Sequence, residues 1–333
     1  MRIATYNVEW FNSLFDDDGQ LINDGGWSSR WDVTRADQTA ALGAVFQALD
    51  ADAVMVIEAP DTSRYRDGKK ALETFAEAFG LRADTALIGF PNNTQQEIAL
   101  LYDPRKITAV HKPLEDGPAN PRFDGEMPFD LDVDAAPEPV RWSKPPLEAE
   151  LTYQGNTLNL IGVHAKSKAP HGAGNDAEAT RIAIANRRKQ LAQCIWLRKR
   201  VDQLLAADAR LMVMGDFNDG PGLDEYEKLF GRSGVEIVLG EGQQTKLYDP
   251  HARLALGRRI GAMPSTARFK KKGQPYLSAL LDYIMVSPNL RGAAPRWQIW
   301  HPFDHPECYA DADLRQALLT ASDHFPVVID LAD

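Results

Sequence analysis

The sequence predicts a mixed α/β fold in which two stacked mixed β-sheets are flanked by helices. Segments with strand period outnumber those with helical period, and several strand pairs are joined by short turn signals as hairpins. That pattern favours stacked mixed sheets over a doubly wound parallel sheet. No internal repeat of short fixed period is present, which sets solenoids and propellers aside. The 333 residues, 44% hydrophobic and 25% charged, suffice for a sizeable core. We expect one domain over 1–333, with a surface insertion at about 111–146.

Residues 2–10 alternate, with Ile3, Thr5, Asn7 and Glu9 on one face and Ala4, Tyr6, Val8 and Trp10 on the other, the two-residue period of a strand. Thr34 and Asp37 form a capping pattern ahead of Leu42, Val45, Phe46 and Leu49, whose spacing marks an amphipathic helix. Ala53 to Ile57 is a continuous apolar run, a buried strand that ends in Glu58. Lys69 to Phe79 reads as a helix stopped by Gly80, and Ile98 to Tyr102 as a strand stopped by Asp103-Pro104. Between 111 and 146, Pro, Asp, Glu and Gly dominate without periodicity. Glu148–Tyr153 and Thr157–His164, joined by Gln154-Gly155-Asn156, form a hairpin. Residues 177–206 are helical in pattern, Leu211–Met214 is an apolar strand, and Tyr226–Phe230 a short helix. Leu280–Val286 reads as a strand carrying Asp282 in its interior, and Val327–Leu331 as the last strand.

The formal net charge of −10 excludes a protein that grips nucleic acid through a broad basic footprint. Two cysteines, Cys194 and Cys308, form no disulfide framework, so a reducing compartment is expected. The first ten residues lack the apolar stretch of a signal peptide, and no apolar run approaches the ~20 residues of a membrane span. These features predict a cytoplasmic protein without stable membrane association.

The chemistry-bearing residues are not scattered. Asn7, Glu58, His164, Asp216 with Asn218, and Asp323 with His324 each sit at or just beyond an apolar strand, and Asp282 lies within one. Strand ends gathered at one sheet edge can hold several side chains rigidly. Hard oxygen donors plus two imidazoles, with little sulfur, suit Mg²⁺ or Mn²⁺ better than Zn²⁺. Asp282 in an apolar strand needs a partner, because burying a lone carboxylate is costly. Lys166 and Lys168, just after His164, are placed to meet phosphate. Taken singly, Asn7 and Glu9 read as ordinary strand-end and solvated residues, Asp216 and Asn218 as an Asx turn, and His164 as a core histidine. His301, His305 and Cys308 have zinc-like spacing but no evident fourth ligand. Arg268–Lys272 reads as a solvated hairpin tip. Arg187–Lys189 and Arg198–Arg200 read as the wet face of the long helix, and Trp27, Trp31 and Tyr65, in loops, as packing residues first and as residues that stack on a base or sugar second.

Ala4–Phe11, Val56-Ile57-Glu58, Gly162–Ser167, Gly215–Asp219, Leu281–Ile284 and Ser322–Val327 together resemble, in order, the successive motifs of the endonuclease/exonuclease/phosphatase superfamily. The resemblance implies a four-layer αββα sandwich of deoxyribonuclease-I type and metal-assisted attack of water on phosphorus. It implies Asn7, Glu58 and Asp323 as metal residues, Glu58 foremost. His324 paired with Asp282 would be general base or transition-state stabiliser, Asp216 would orient the water, and Asn218 and His164 would contact phosphate or leaving-group oxygens. Trp142–Leu147 resembles a family segment beside the substrate groove.

The leading expectation is therefore a Mg²⁺- or Mn²⁺-dependent phosphodiester hydrolase acting on nucleic acid or a nucleotide. His164 stands where abasic-site nucleases carry a different pattern, which disfavours that branch. The alternative is a phosphatase or phosphodiesterase for a small molecule or lipid head group, which the acidic charge and the 111–146 stretch favour by like-charge repulsion of long polyanions. A non-catalytic binding module ranks last, because no ligand or histidine of the motifs is lost.

Overall fold

The computed structural model describes residues 1–115, 117, 120–130, 138–170, 172–220, 230–257, 263–270 and 275–332. The expected helix at Tyr226–Phe230 and the tip of the Arg268–Lys272 run fall largely outside them. The strands are β1 (Arg2–Asn7), β2 (Ala53–Ala59), β3 (Thr85–Ile88), β4 (Glu97–Tyr102), β5 (Ile107–His111), β6 (Met127–Phe129), β7 (Glu138–Val140), β8 (Leu147–Tyr153), β9 (Asn156–His164), β10 (Leu211–Asp216), β11 (Ala267–Phe269), β12 (Leu277–Ala279), β13 (Asp282–Val286), β14 (Arg296–Ile299) and β15 (Val327–Asp330). The principal helices are α1 (Arg35–Leu49), α2 (Gly68–Ala78) and α3 (Asp176–Ala206), with a further helix at Ala312–Ala321.

Six strands form one sheet in the order β14-β15-β1-β2-β4-β3, and five form the other in the order β13-β10-β9-β8-β5. Each is mixed: β1–β2 and β9–β10 run parallel and the remaining pairs antiparallel. The period-two alternation sorts side chains into layers. On β1, Ile3 joins the apolar cluster between the sheets, with Met55, Leu100, Leu160, Met214 and Ile284. Ala4 and Tyr6 instead meet α1, α2 and the 312–321 helix through Leu42, Phe75 and Leu318. A third cluster places Val163, Val213 and Tyr283 against Trp196 and Leu197 of α3. Helix, sheet, sheet, helix is the expected αββα order.

Local signals explain the boundaries. Thr34 caps α1 by accepting from Asp37 N at 3.1 Å, and Asn175 caps α3 by accepting from Glu178 N at 2.9 Å. The β8–β9 turn places Gln154 and Gly155 at φ 49° and 76°, the left-handed pair that matches hairpin twist. Within the 111–146 stretch, β6 and β7 pair, and Phe123, Met127, Phe129, Val140 and Trp142 are buried in the cluster under α3. Among the described residues no helix is long and apolar enough to cross a membrane.

Candidate active site

The layer arithmetic that builds the core also aims the polar residues. On β1, Ile3, Thr5 and Asn7 share the inter-sheet face, so Asn7 points between the sheets where the apolar filling ends. On β10, Asp216 follows Met212 and Met214 on the face that looks back at Asn7, and the Asn7 amide donates to Asp216 Oδ2 at 3.0 Å, joining the two sheets. His164 ends β9 on the face of Leu158 and Leu160, directly beside Asp216 in the parallel register. Asp282 corrects the sequence reading. It does not lie inside a strand but begins β13, opposite Asp216. Because β13 runs antiparallel to β10, its first residue reaches the same edge as β10's last.

Glu58 reaches this edge by a different device. Alternation from Val54 and Val56 would turn it toward the helices, but the β2–β4 register shifts between Ile57 and Ala59 and Glu58 adopts φ 63°. A bulge with one inserted left-handed residue swings the carboxylate out of the helix-facing row, and Ala59 takes the buried place. The Trp10 amide donates to Glu58 Oε2 at 3.1 Å.

Two groupings result. His324 Nδ1–H donates to Asp282 Oδ2 at 2.7 Å, both side chains being buried. Burial by itself would lower the His324 pKa, but Asp282, Asp216 and Asp323 overrule it and hold the ring well above its ordinary value. His164 Nε2 lies 3.2 Å from Lys144 Nζ, 3.6 Å from Asp216 Oδ2 and 3.9 Å from Glu58 Oε1. Burial, then the cations Lys144 and His324, push His164 well below its usual range, so it is the neutral imidazole of the pair. Asp216 is raised to about 7 by burial, with Asp282 and Glu58 adding to the effect and His324 and the Asn218 amide opposing it. Asn218, at φ 49°, folds back so that its backbone N–H donates to Asp216 Oδ1 at 2.7 Å and its amide to Asp216 Oδ2 at 3.0 Å.

Asn7, Glu58, His164, Asp216, Asn218 and His324 line one cleft of about 1150 Å³, together with Glu9, Lys144, Lys166, Lys168, Asp323 and Phe269, while Asp282 lies behind His324. Of the predicted phosphate contacts, Lys168 is engaged with buried Asp219 at 2.8 Å. For a metal, the Asn7 Oδ1 atom is buried without a hydrogen-bond partner, and burial raises the Glu58 pKa. The orphaned Asn7 oxygen beside a buried carboxylate fits a cation. Among the described residues no group of three His, Cys, Asp or Glu encloses a metal position. The zinc-like trio is not assembled: His301 Nδ1 accepts from the Phe303 and Asp304 amides, and His305 Nδ1 from Cys308 N, so both rings cap backbone.

The sequence reading missed three features. Lys144 was seen only as part of a groove segment, yet it contacts His164. Glu9 is ion-paired with Arg30 at the cleft rim, and its pKa is raised to about 7 by burial and by Asp323. The third is a correction. Arg187, Arg198 and Arg200 are buried, not solvated. Arg187 pairs with Asp219 at 2.7 Å, Arg200 Nε lies 3.2 Å from Glu148, and Arg198 donates to Val238 O at 2.9 Å. Beside Arg187, Gln190 donates to the carbonyls of Lys166, Phe217 and Asn218 at 3.0, 3.1 and 2.9 Å, and Gln193 Oε1 accepts from Lys166 N at 2.9 Å. One face of α3 thus ties the loop after β9 to the loop after β10.

An αββα sandwich with a carboxylate, amide and imidazole cluster at one end of both sheets defines the class of protein. The chain belongs to the endonuclease/exonuclease/phosphatase family, which it matches over residues 4–324. Its fold is similar to that of truncated TDP2 from Caenorhabditis elegans, at 13% identity and TM-score 0.54, covering 100% of this chain and 97% of that one. It is similar also to the 3'-5' exonuclease NExo from Neisseria meningitidis, at 14% identity and TM-score 0.53 with both chains covered in full. The mannosyl-6-phosphatase Bt3783 from Bacteroides thetaiotaomicron resembles it at 15% identity and TM-score 0.50, again with both chains covered in full. Comparison with curated proteins finds no match.

Proposed function

We propose that this chain is a divalent-metal-dependent phosphodiester hydrolase whose substrate is a nucleic acid or nucleotide. The observation that carries this reading is the buried Asp282–His324 pair, 2.7 Å apart, whose His324 lines the same cleft as Asn7 and Glu58. Phosphoester hydrolysis needs charge neutralised on the phosphoryl oxygens, a polarised water and help for the leaving oxygen. Asn7, Glu58 and Asp323 would hold Mg²⁺ or Mn²⁺, which when bound supplies charge neutralisation and lowers the pKa of its water. Asp282 fixes the His324 ring through Nδ1–H, leaving Nε2 to face the cleft and exchange a proton or hydrogen-bond the phosphoryl group. Asp216, held by Asn7 and Asn218, is oriented to align the attacking water. Neutral His164, cationic Lys144 and Lys166 line the wall where phosphoryl oxygens would lie. The family match supports phosphoester chemistry, and the similar solved proteins include an exonuclease and a phosphatase.

The net charge of −10 favours, as a second reading, a compact phosphoester over a long polyanion. Hydrolysis of supercoiled plasmid, short single-stranded DNA, bis(p-nitrophenyl) phosphate and p-nitrophenyl phosphate, with Mg²⁺ or Mn²⁺, separates the two. Cleavage of DNA or the diester that is lost with EDTA and in His324→Ala supports the first. Turnover of the monoester alone moves the assignment to a phosphatase, and turnover that survives in His324→Ala refutes the role given to the pair.

A further inference from the structure

Asn7 and Asp323 stand on neighbouring segments whose separation no backbone ladder fixes. β1 and β15 pair from Arg2–Asp330 to Thr5–Val327. Beyond that point, among the described residues, no backbone hydrogen bond joins 7–10 to 319–324. Side chains span the gap instead. Ser322 Oγ donates to Asn7 O at 2.8 Å and accepts from Glu9 N and His324 N, both at 3.2 Å. Arg30 donates to the Glu9 carboxylate and, at 3.0 Å, to Leu319 O. Gln38 Nε2 donates to Glu9 O at 2.9 Å and to Ala321 O at 3.1 Å. Of the three, Gln38 is the one that breaks the rule of its own helix. Gln38, Leu42, Val45 and Leu49 form a single stripe of α1, and all four are fully buried. Packing alone calls for an apolar side chain at position 38. A buried amide is costly unless bonded, and here only the NH₂ end is bonded, since Gln38 Oε1 is buried without a hydrogen-bond partner.

We propose that Gln38 is a positioning residue for the cation: its amide sets the gap between the segment carrying Asn7 and the segment carrying Asp323, and so governs metal affinity. The proposal rests on the metal-dependent reading above and adds to it a residue from outside the cleft. A purely structural role accounts for half of the arrangement. Ala321 ends the 312–321 helix, where carbonyls lack partners within the helix, so the Ala321 bond by itself is a cap. The Glu9 bond has no such explanation. Glu9 lies two residues after Asn7, and Ala321 two residues before Asp323, so each bond falls equally close along the chain to a candidate ligand. The two N–H groups diverge from one planar amide carried near the start of a 15-residue helix, which makes them a rigid spacer. His324 is held separately, through Asp282 and the Ser322 hydroxyl, so the spacer acts on the cation and leaves the acid–base pair in place.

The test measures Mn²⁺ binding by calorimetry on the intact protein, Gln38→Met and Leu42→Ala, alongside bis(p-nitrophenyl) phosphate hydrolysis across a Mn²⁺ titration and metal-free thermal unfolding. Methionine keeps the length and suits the apolar stripe but offers neither N–H. Leu42→Ala, one turn along the same stripe, removes packing volume and changes neither hydrogen bond, so it separates loosening of α1 from loss of the spacer. We expect Gln38→Met to weaken Mn²⁺ binding about ten-fold and to raise the Mn²⁺ concentration for half-maximal rate by the same factor, with kcat at saturating Mn²⁺ within about three-fold. Leu42→Ala should lower Tm more and keep its Mn²⁺ affinity within about two-fold. Should Gln38→Met fail to fold, Gln38→Asn, one methylene too short to reach both carbonyls, gives the same comparison. Unchanged Mn²⁺ affinity in a folded Gln38 variant overturns the assignment, and so does equal weakening by Leu42→Ala. The two readings fail separately: metal-dependent hydrolysis with unchanged affinity in the variant removes only the role of Gln38, whereas an intact protein that binds no Mn²⁺ removes the metal reading and this proposal with it.

Discussion

Replacing Gln190 by leucine removes an α3 side chain that bonds both candidate phosphate loops. Its amide donates to three backbone carbonyls, of Lys166, Phe217 and Asn218, and its oxygen accepts from Arg187 Nη1 at 2.7 Å. A net hydrogen bond contributes about 1 kcal/mol, and the leucine fills most of the volume, so the loss is about 3–4 kcal/mol. With an unfolding entropy of roughly 2.1 cal/mol/K per residue over 333 residues, this lowers Tm by about 5 °C. The functional effect is separable from the stability effect. Lys166 and Asn218 lie on the far side of the substitution from Asn7 and Glu58, which belong to the other sheet. Well below the new Tm, kcat for bis(p-nitrophenyl) phosphate should fall about 10- to 100-fold, while the Mg²⁺ concentration for half-maximal rate stays within two-fold. Steady-state kinetics across a Mg²⁺ titration, with thermal unfolding followed by circular dichroism, reads both. An unchanged kcat in a protein that has lost the expected stability refutes the idea that this residue registers the loops. A parallel rise in the Mg²⁺ requirement would show general loosening instead.

Asp282→Asn should lower kcat by about 100- to 1000-fold with KM within three-fold, because His324 loses the carboxylate that fixes its ring; a loss confined to KM contradicts the role. Asp52, held at about 2 by Lys106, the Arg2 amide and Arg82 against the opposing effect of its burial, has a folded pKa below its ordinary value, so its stabilisation is complete above about pH 4 and disappears as pH falls toward 2. Asp52→Asn should therefore cost about 1–2 kcal/mol at pH 7, after allowing for the half-exposed Lys106, and almost nothing at pH 2, as read by urea unfolding at both pH values. Glu58→Gly should abolish hydrolysis yet raise the metal-free stability by about 1 kcal/mol, because it removes a left-handed non-glycine residue and a buried carboxylate together; a fall in Tm would disprove the strain argument.

Where a residue's environment is set by its near neighbours, the sequence was readable. The alternation of β1 placed Ile3 between the sheets and Tyr6 under the helices, and Gln154-Gly155 turned β8 into β9. The strand-end positions of Asn7, His164, Asp216 and His324 followed from the same periods. What failed was information carried by distant partners. The arginines of α3 look like a solvated face because, apart from Asp202 beside Arg198, nothing near them in sequence answers their charge. Arg187 is answered by Asp219, Arg200 by Glu148 and Arg198 by the Val238 carbonyl, each more than thirty residues away. Glu148 showed only as a strand residue for the same reason. Asp282 was set inside its strand because Leu280 and Leu281 are apolar, but Leu280 packs into the cluster under α3 and Leu281 belongs to the cleft wall and its small cluster. Nor does composition announce a bulge at Glu58, which needs the β4 partner to be visible.

Among the residues in the left-handed region, three side chains stand at one edge of the sheets, while others, such as Gln154, lie in turns elsewhere. Trp10 at φ 56°, Glu58 at 63° and Asn218 at 49° carry side chains in the left-handed region, and Gly215 at 131° lies beside Asp216 with the Val163 backbone too close for any Cβ. A non-glycine residue in that region costs about 1 kcal/mol or more, so these conformations persist only because the surrounding sheets over-determine them. The same edge holds Glu58 and Asp216 in burial that raises their pKa values, an effect that His324 opposes at both and Lys144 opposes at Glu58. Backbone strain and like charge therefore accumulate where β1, β2, β9, β10 and β13 end, while the strand interiors obey alternation throughout. Selection for stability alone would have relaxed Glu58 to a regular strand residue facing α1, and would have put apolar side chains at Asp216 and Asp282. Glu58 and Asp216 instead line a cleft beside an orphaned Asn7 oxygen, with Asp282 holding His324, which is the arrangement the proposed cation and phosphoester site calls for.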